Sequence, residues 1–191
     1  MTPTPWRWLQ EATRTALLLP PRWAGLHGNA LTAALWTALS VLVSVAMARA
    51  AIAGPAIFYG PALLYGWLPV AVAAWLCWWF VAEPAPTRAT TAYTLLVVQG
   101  LVMTALSALW WVPIEHHGGW YAVLPNQRAQ SAVGLLLFAW WVGAIGLLLW
   151  RSSPKPMWQR CAGVGVMVLS VWLSQTWETM RVWYPASPNT A

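Results

Sequence analysis

The chain has 191 residues, of which 60% are hydrophobic and only 7% are charged, whereas about 25% of the residues of an ordinary soluble domain are charged. Because so few charges cannot cover the surface of a water-soluble domain of this length, the composition excludes that class and predicts a protein solvated by lipid. The net charge of +6 comes from basic residues dispersed along the chain, which favours a phospholipid bilayer as their partner and argues against nucleic acid.

Residues 1–28 are predicted to form a cytoplasmic amphipathic segment at the membrane interface. In the stretch WRWLQEATRTALLL, the polar side chains of Arg7, Gln10, Glu11 and Arg14 recur at helical spacing and share one stripe of a helix. This pattern is typical of an interfacial helix that lies on the cytoplasmic leaflet. The alternative is a frayed and solvated lead sequence.

Residues 29–178 are predicted to form a transmembrane domain of about five helices. Each of five uncharged stretches approaches the roughly twenty residues that a helix needs to cross a bilayer, and they cover 30–48, 63–82, 92–112, 130–150 and 161–177. Most Pro and Gly residues, Pro113 among them, fall between these stretches, where helices should stop, whereas Pro69 lies inside the second and predicts a kink. Strands of a membrane barrel would alternate apolar and polar residues, and these stretches do not. The predicted fold class is therefore all-α, a polytopic integral membrane helical bundle.

The distribution of Lys and Arg predicts the orientation of this bundle. With five spans, one side of the membrane collects Arg7, Arg14, Arg22, Arg88, Arg151, Lys155 and Arg160, and the other collects Arg49, Arg128 and Arg181. Because cytoplasmic flanks are enriched in basic residues, the amino terminus is predicted to be cytoplasmic. Residues 179–191 then form a short external tail, and the carboxyl terminus is periplasmic in a bacterial inner membrane.

Glu115, His116 and His117 form the one cluster of residue types that bind metal ions or transfer protons. Adjacent residues point in different directions on a helix or a strand, so the three are weak candidates for a metal site. An exposed loop at the interface is the main interpretation. No metal, cofactor or catalytic residue is predicted, and the chain contains no Asp and no Walker or nucleophile-elbow motif.

Gln99 is the candidate for a polar contact inside the membrane. The predicted spans contain no Asp, Glu, Lys, Arg or His in their interiors, which argues against transport driven by an internal carboxylate. Most of their Ser and Thr residues are explained by helix packing. Gln99, followed by Gly100, is the position where an interhelical hydrogen bond or a ligand contact would be worth testing.

Three segments, ALLLPPRWAGLHG, AIAGPAIFYGPALLYGWL and VWYPAS, carry a resemblance that covers nearly the whole chain. Together with the apolar pattern they resemble the membrane-embedded amino-terminal region of Gram-negative proteins with a legumain-like cysteine peptidase domain. The resemblance implies five spans that lead to an external hydrolase domain. The peptidase portion with its His and Cys pair is not present after Trp183, Tyr184 and Pro185, so the resemblance implies no catalytic residue here.

The first hypothesis for the function is a non-enzymatic membrane module that anchors or assembles with a partner protein or with copies of itself. The second is a small carrier or lipid-handling membrane protein whose ligand lies among the helices. A membrane enzyme subunit is a third class. Co-purification with a stoichiometric partner would favour the first, and altered flux in liposomes after replacement of Gln99 or Trp75 would favour the second.

Overall fold

The computed structural model describes residues 4–52, 54–65, 67–81, 86–117, 119, 126–176 and 182–186. The chain is mostly helical, which confirms the predicted class. In chain order, the elements described are α1 (Pro5–Ala16), α2 (Ala30–Ala50), β1 (Ala56–Phe58), α3 (Ala62–Tyr65), α4 (Trp67–Val81), α5 (Pro86–His116), α6 (Gln127–Ser152), α7 (Met157–Thr176) and β2 (Trp183–Pro185). By length and composition, three described helices, α2, α5 and α6, are long and apolar enough to cross a membrane.

The helices begin and end close to the positions predicted from the apolar stretches. The side chain of Asn29 accepts a hydrogen bond from the Thr32 N–H (2.7 Å), and that of Asn126 accepts one from the Arg128 N–H (3.0 Å). Each Asn therefore satisfies one of the backbone donors left open at the start of α2 or α6. At the other end of α2, the guanidinium of Arg49 donates to the carbonyls of Ile52 and Gly54.

Pro113 lies differently in its helix than predicted, and Pro69 lies inside a helix as predicted. The prediction that the third helix stops at Pro113 is wrong, because α5 continues to His116. A proline removes one backbone hydrogen bond, and so close to the helix end the remaining turn still forms, with the His117 N–H bonded to the Pro113 carbonyl (3.1 Å). Pro69 lies near the start of α4, and the kink expected there stays a prediction.

Contacts between the ends of the helices show in which direction several of them run. The Gly28 N–H donates to the Thr91 hydroxyl (2.9 Å), and His116 Nε2–H donates to the Ala50 carbonyl (2.7 Å). The first contact joins the beginnings of α2 and α5 and the second joins their ends, so the two helices run parallel. The chain must therefore return along the bundle between them, by way of α3 and α4. The α6 helix runs antiparallel to α5, and α7 runs back toward the end of the bundle where β2 pairs with β1.

The α5 helix lies at the centre of the bundle and contacts α1, α2, α4 and α6. Its buried residues meet those of α1, α4 and α6 in one apolar core. The core includes Trp8, Ala12, Leu76, Cys77, Leu95, Val98, Ile145 and Leu148. In contrast, α2 and much of α6 expose apolar residues such as Leu35, Leu42 and Leu135, as expected for helices that face lipid.

The amino-terminal helix is packed into the bundle. Trp8, Ala12 and Ala16 are buried against the core, and the indole Nε1–H of Trp140 donates to the Ala16 carbonyl (2.7 Å). Ala16 reaches the level of Met103, well inside α5. The placement of residues 1–28 relative to a membrane stays a prediction, but the apolar side of α1 is buried within the protein.

The polar stripe predicted on α1 holds the chain segment that follows it. The Arg22 N–H donates to Glu11 Oε2 (2.8 Å), and the guanidinium groups of Arg7 and Arg14 donate to the carbonyls of Ala24 and Pro20. Residues 17–28 therefore run back along α1, and the two form a hairpin. Glu11 is buried in this hairpin, where an interfacial helix would have exposed it.

Candidate functional site

A two-stranded antiparallel sheet lies at the end of the bundle where α2 and α5 finish, which we call the aromatic end. Strands β1 and β2 pair in the register Ala56 with Pro185, Ile57 with Tyr184 and Phe58 with Trp183. Two further backbone hydrogen bonds extend the ladder, from the Tyr59 N–H to the Val182 carbonyl (2.8 Å) and from the Ala186 N–H to the Pro55 carbonyl (3.0 Å). The chain after α7 therefore forms part of the fold.

Contacts to the ends of the helices hold the sheet in place. The indole Nε1–H of Trp183 donates to the Val45 carbonyl in α2 (3.1 Å). The Arg49 guanidinium lies 5.9 Å from the Trp183 ring centroid, a distance at which a cation and an indole attract each other. The Phe58 ring also packs against this indole, with centroids 4.9 Å apart. Trp183 thus joins α2 and the sheet through three contacts.

The first strand and the residue after it expose three consecutive large side chains, which we call the aromatic patch: Ile57 and Tyr59 on one face of the sheet and Phe58 on the other. They are 53%, 48% and 46% exposed. The Tyr59 ring meets Tyr184 edge to face, with centroids 6.2 Å apart, so the patch is supported from within the sheet. Large apolar side chains exposed on a sheet that is held to the bundle are typical of a contact with another molecule.

Glu115, His116 and His117 lie near the sheet but do not converge. Glu115 and His116 belong to the last turn of α5, and all three side chains are exposed. His116 donates to the Ala50 carbonyl, and His117 Nδ1–H donates to the Pro113 carbonyl (2.7 Å). Across the described part of the chain, no three His, Cys, Asp or Glu side chains are arranged to hold a metal ion. The role of His116 that the structure shows is to join the ends of α5 and α2.

Gln99 lies in α5 and is fully buried, at 0% exposure. Neither its Oε1 nor its Nε2 has a hydrogen-bond partner among the described residues, so the interhelical hydrogen bond considered for it is not formed there. The polar bridge between helices lies elsewhere, because the hydroxyls of Thr37 in α2 and Tyr93 in α5 are hydrogen bonded (2.9 Å).

A groove opens between α2 and the chain that returns from the sheet. It encloses about 200 Å³ and is lined by Ser40, Val41, Ser44, Val45, Ala62, Leu63, Val70 and Val182. Apart from the two serines the lining is aliphatic. On α4 the Trp75 ring stacks on Trp79 with centroids 5.5 Å apart, and Trp75 is exposed.

Sequence reasoning missed the sheet, although two of the three segments that carry the resemblance contain its strands. AIF and WYP are rich in β-branched and aromatic residues and lie beside Gly or Pro. Strands of three residues give too short a pattern to separate from a loop. Comparison of the chain with protein families, with curated proteins and with solved structures gives no match.

Proposed function

We propose that the chain is a non-enzymatic integral membrane module of the bacterial inner membrane that assembles with a partner protein, or with a second copy, through the aromatic patch. The observation that carries the proposal is the exposure of Ile57, Phe58 and Tyr59 on a sheet that Trp183 fixes to the bundle. A fixed apolar surface loses little conformational entropy on binding, which favours its use as a contact. The α2 helix has 21 residues, enough to span the hydrocarbon, so the sheet that follows it belongs outside this layer.

The number of crossings in this proposal is about five. It is supported by the parallel course of α2 and α5, which requires a return pass between them. The α4 helix has 15 residues and a length of about 22 Å, less than the roughly 30 Å of the hydrocarbon core. A short span of this kind crosses where the bilayer thins locally or where neighbouring helices shield its ends.

The orientation in this proposal places the amino terminus in the cytoplasm and the carboxyl terminus in the periplasm. We call the end of the bundle opposite the sheet the basic end. Its basic residues support this orientation, and they are Arg7, Arg22, Arg88, Arg151 and Lys155. Arg49 and Arg128 lie toward the aromatic end. This excess of basic groups at one end favours the cytoplasmic side.

Site-specific photo-crosslinking tests the assembly proposal in intact cells. A photoreactive amino acid at Ile57 should yield one crosslinked protein product of defined mass. The matched control is Leu42 on α2, which is 65% exposed and equally apolar, and which should yield lipid adducts or diffuse products. Two differently tagged copies of the chain distinguish a homo-oligomer from a complex with another protein. The same products from both positions, or no protein product from Ile57, would refute the proposal.

The resemblance to the membrane region of legumain-like peptidase proteins gives this proposal a specific partner, a hydrolase on the external side. The β1 and β2 strands, which lie in two of the three segments that carry it, pair to form the sheet. Sequencing the neighbouring reading frame tests this part. We expect a peptidase with a His and Cys pair, and an unrelated transport operon would contradict this choice of partner.

A second candidate is a small carrier or lipid-handling protein, and the groove beside α2 favours it. An aliphatic groove with Ser40 and Ser44 is suited to an acyl chain or another apolar ligand. Replacing Val41 by Trp would fill the groove, whereas the same replacement at Leu42, which is exposed and does not line the groove, leaves it unchanged. Reduced lipid flux in liposomes with the first variant alone would support this candidate, whereas equal flux for both variants and the unmodified chain would exclude it.

A further inference from the structure

A cavity of about 710 Å³ lies at the basic end, between the segment that returns from α1, the first turns of α5 and the last turn of α6. The returning segment contributes residues 23–28, α5 contributes Arg88 and Thr91, and α6 contributes Arg151 and Ser152. It lies far from the aromatic patch. Nothing in the proposed assembly accounts for it.

The charges that line this cavity have one sign. Arg88 and Arg151 are permanently charged and His27 is the third basic side chain in the lining. The acidic residues that the structure describes are Glu11 and Glu115, and neither lines the cavity. Glu11 is instead engaged by Arg14 (3.5 Å) and by the Arg22 N–H. Within the described chain, the cavity therefore presents cationic donors without a carboxylate to neutralise them.

The walls of the cavity are fixed by contacts that span different elements. The Thr91 hydroxyl accepts from the Gly28 N–H, and the Arg151 guanidinium donates to the Leu18 carbonyl (3.0 Å). A Cβ atom at position 28 would lie 2.8 Å from the Thr91 Cα, so this close approach requires glycine. Gly25 has a φ of 78°, and the Arg7 guanidinium packs against it while bonded to the Ala24 carbonyl. The returning segment is thus held as a wall from both sides.

We propose that this cavity binds a phosphate group, with Arg88 and Arg151 as its main ligands and His27 as a third donor. A guanidinium matches the geometry of phosphate oxygens and forms two parallel hydrogen bonds to them. The indole of Trp23 at the same opening is suited to the level where headgroups meet hydrocarbon. The phosphate belongs either to the headgroup of an anionic phospholipid or to a soluble phosphate compound. This inference stands apart from the proposed assembly, because it depends on none of the residues of the aromatic patch.

Thermal unfolding of the detergent-purified full chain tests the proposal with two probes. Phosphatidylglycerol is titrated in one arm and inorganic phosphate in the other, and phosphatidylcholine, which is zwitterionic, serves as the reference lipid. We expect phosphatidylglycerol to raise the unfolding temperature in a saturable way and phosphatidylcholine to leave it unchanged. A response to inorganic phosphate as well identifies the source as soluble, and a response to phosphatidylglycerol alone identifies it as the lipid.

Arg88→Gln is the decisive variant, because the structure gives the Arg88 side chain no hydrogen bond within the described chain whose loss would disturb folding. We expect it to weaken binding about tenfold, the effect of losing a charged hydrogen bond to phosphate. Arg151→Gln should weaken binding similarly, but it also removes the bond to Leu18. The matched control is Arg128→Gln, which removes the same charge from an exposed position at the aromatic end and should bind as the unmodified chain does. Equal binding by the Arg88 and Arg128 variants, or no response to either probe, would overturn the proposal.

Discussion

Gln99 shows how a single residue in α5 bears on stability. A buried amide without partners costs about 1–3 kcal/mol of desolvation, and Gln99 Oε1 and Nε2 have no partner among the described residues. A membrane bundle keeps such a residue only where packing around it is otherwise favourable. The sequence predicted that Gln99 was unusual, because it is a lone amide in an apolar stretch. It could not predict which side chains would enclose Gln99, since this depends on how the neighbouring helices pack against α5.

We predict that Gln99→Leu raises the unfolding temperature of the purified chain, because leucine has a similar volume and no polar group to desolvate. The measurement is thermal unfolding in the same detergent for both proteins. Gln99→Ala serves as the control, and it should lower the temperature by leaving a cavity. A lower unfolding temperature for the leucine variant would show that the amide has a partner in the membrane.

The hydrogen bond between Thr37 and Tyr93 is expected to stabilise the protein, in contrast to the buried amide of Gln99. Thr37→Val keeps the shape of the side chain and removes the hydroxyl bonded to Tyr93. We predict a loss of about 1 kcal/mol in the free energy of unfolding, the usual net value of such a hydrogen bond. Tyr93→Phe should cost a similar amount, and the double variant should cost less than the two separate losses combined. Full additivity in this double-mutant cycle would mean that the two hydroxyls do not interact.

The hairpin formed by α1 and residues 17–28 is the element that the sequence described least well. The periodicity of Arg7, Gln10, Glu11 and Arg14 predicted a polar stripe, and α1 does form. The stripe was assigned to water and headgroups because sequence periodicity shows which residues share a face and not what covers that face. Here the chain itself covers it, through backbone groups of Pro20, Arg22 and Ala24 that carry no sequence signal.

We predict that Glu11→Ala loosens this hairpin, because it leaves the Arg22 N–H without its acceptor and removes the partner of Arg14. Limited proteolysis in proteoliposomes should then cleave residues 17–28 several times faster than in the unmodified chain. Gln10→Ala removes a neighbouring exposed side chain and should leave the rate unchanged. Equal cleavage of the two variants would indicate that Glu11 does not hold the segment.

The sheet is the second element absent from the sequence prediction, and its register can be tested directly. In a background with Cys77 and Cys161 replaced by Ala, the pair Ile57→Cys and Tyr184→Cys should form a disulfide under mild oxidation, since these residues are directly opposite. The pair Ala56→Cys and Tyr184→Cys, displaced by one residue, should crosslink much more slowly. Faster crosslinking of the displaced pair would show that the strands pair in a different register.

At the scale of the whole molecule, the lengths of the apolar stretches predicted the helices well. Each of the five predicted spans overlaps a helical stretch, α3 and α4 together covering the second, because a long uncharged run leaves helix as the structure that satisfies its backbone. Length and composition alone support three crossings, by α2, α5 and α6. Contacts between distant residues, such as Gly28 with Thr91, support the further crossings that we propose, and a single sequence does not reveal such contacts.

We predict that thiol labelling in intact cells follows the two ends of the bundle. In the same cysteine-free background, Asn126→Cys should react with an impermeant maleimide from outside, and Lys155→Cys and Arg88→Cys should react only after permeabilisation. The Arg88 position gives the most direct test of whether α4 crosses the membrane, because Arg88 lies in the first turn of the next described helix, α5. External labelling of Arg88→Cys together with Ile57→Cys would mean that α4 does not cross.

The pairing of β1 with β2 has a consequence for biogenesis. Strand β1 follows the first long helix, whereas β2 comes after the last one. Because translation proceeds from the amino terminus, β1 has no strand to pair with, and Arg49 has no Trp183 ring beside it, until the chain has been synthesised beyond α7. A nascent or truncated polypeptide that lacks Trp183 therefore lacks the complete two-stranded sheet to which a partner could bind. A companion protein that docks there would select mature copies over unfinished ones.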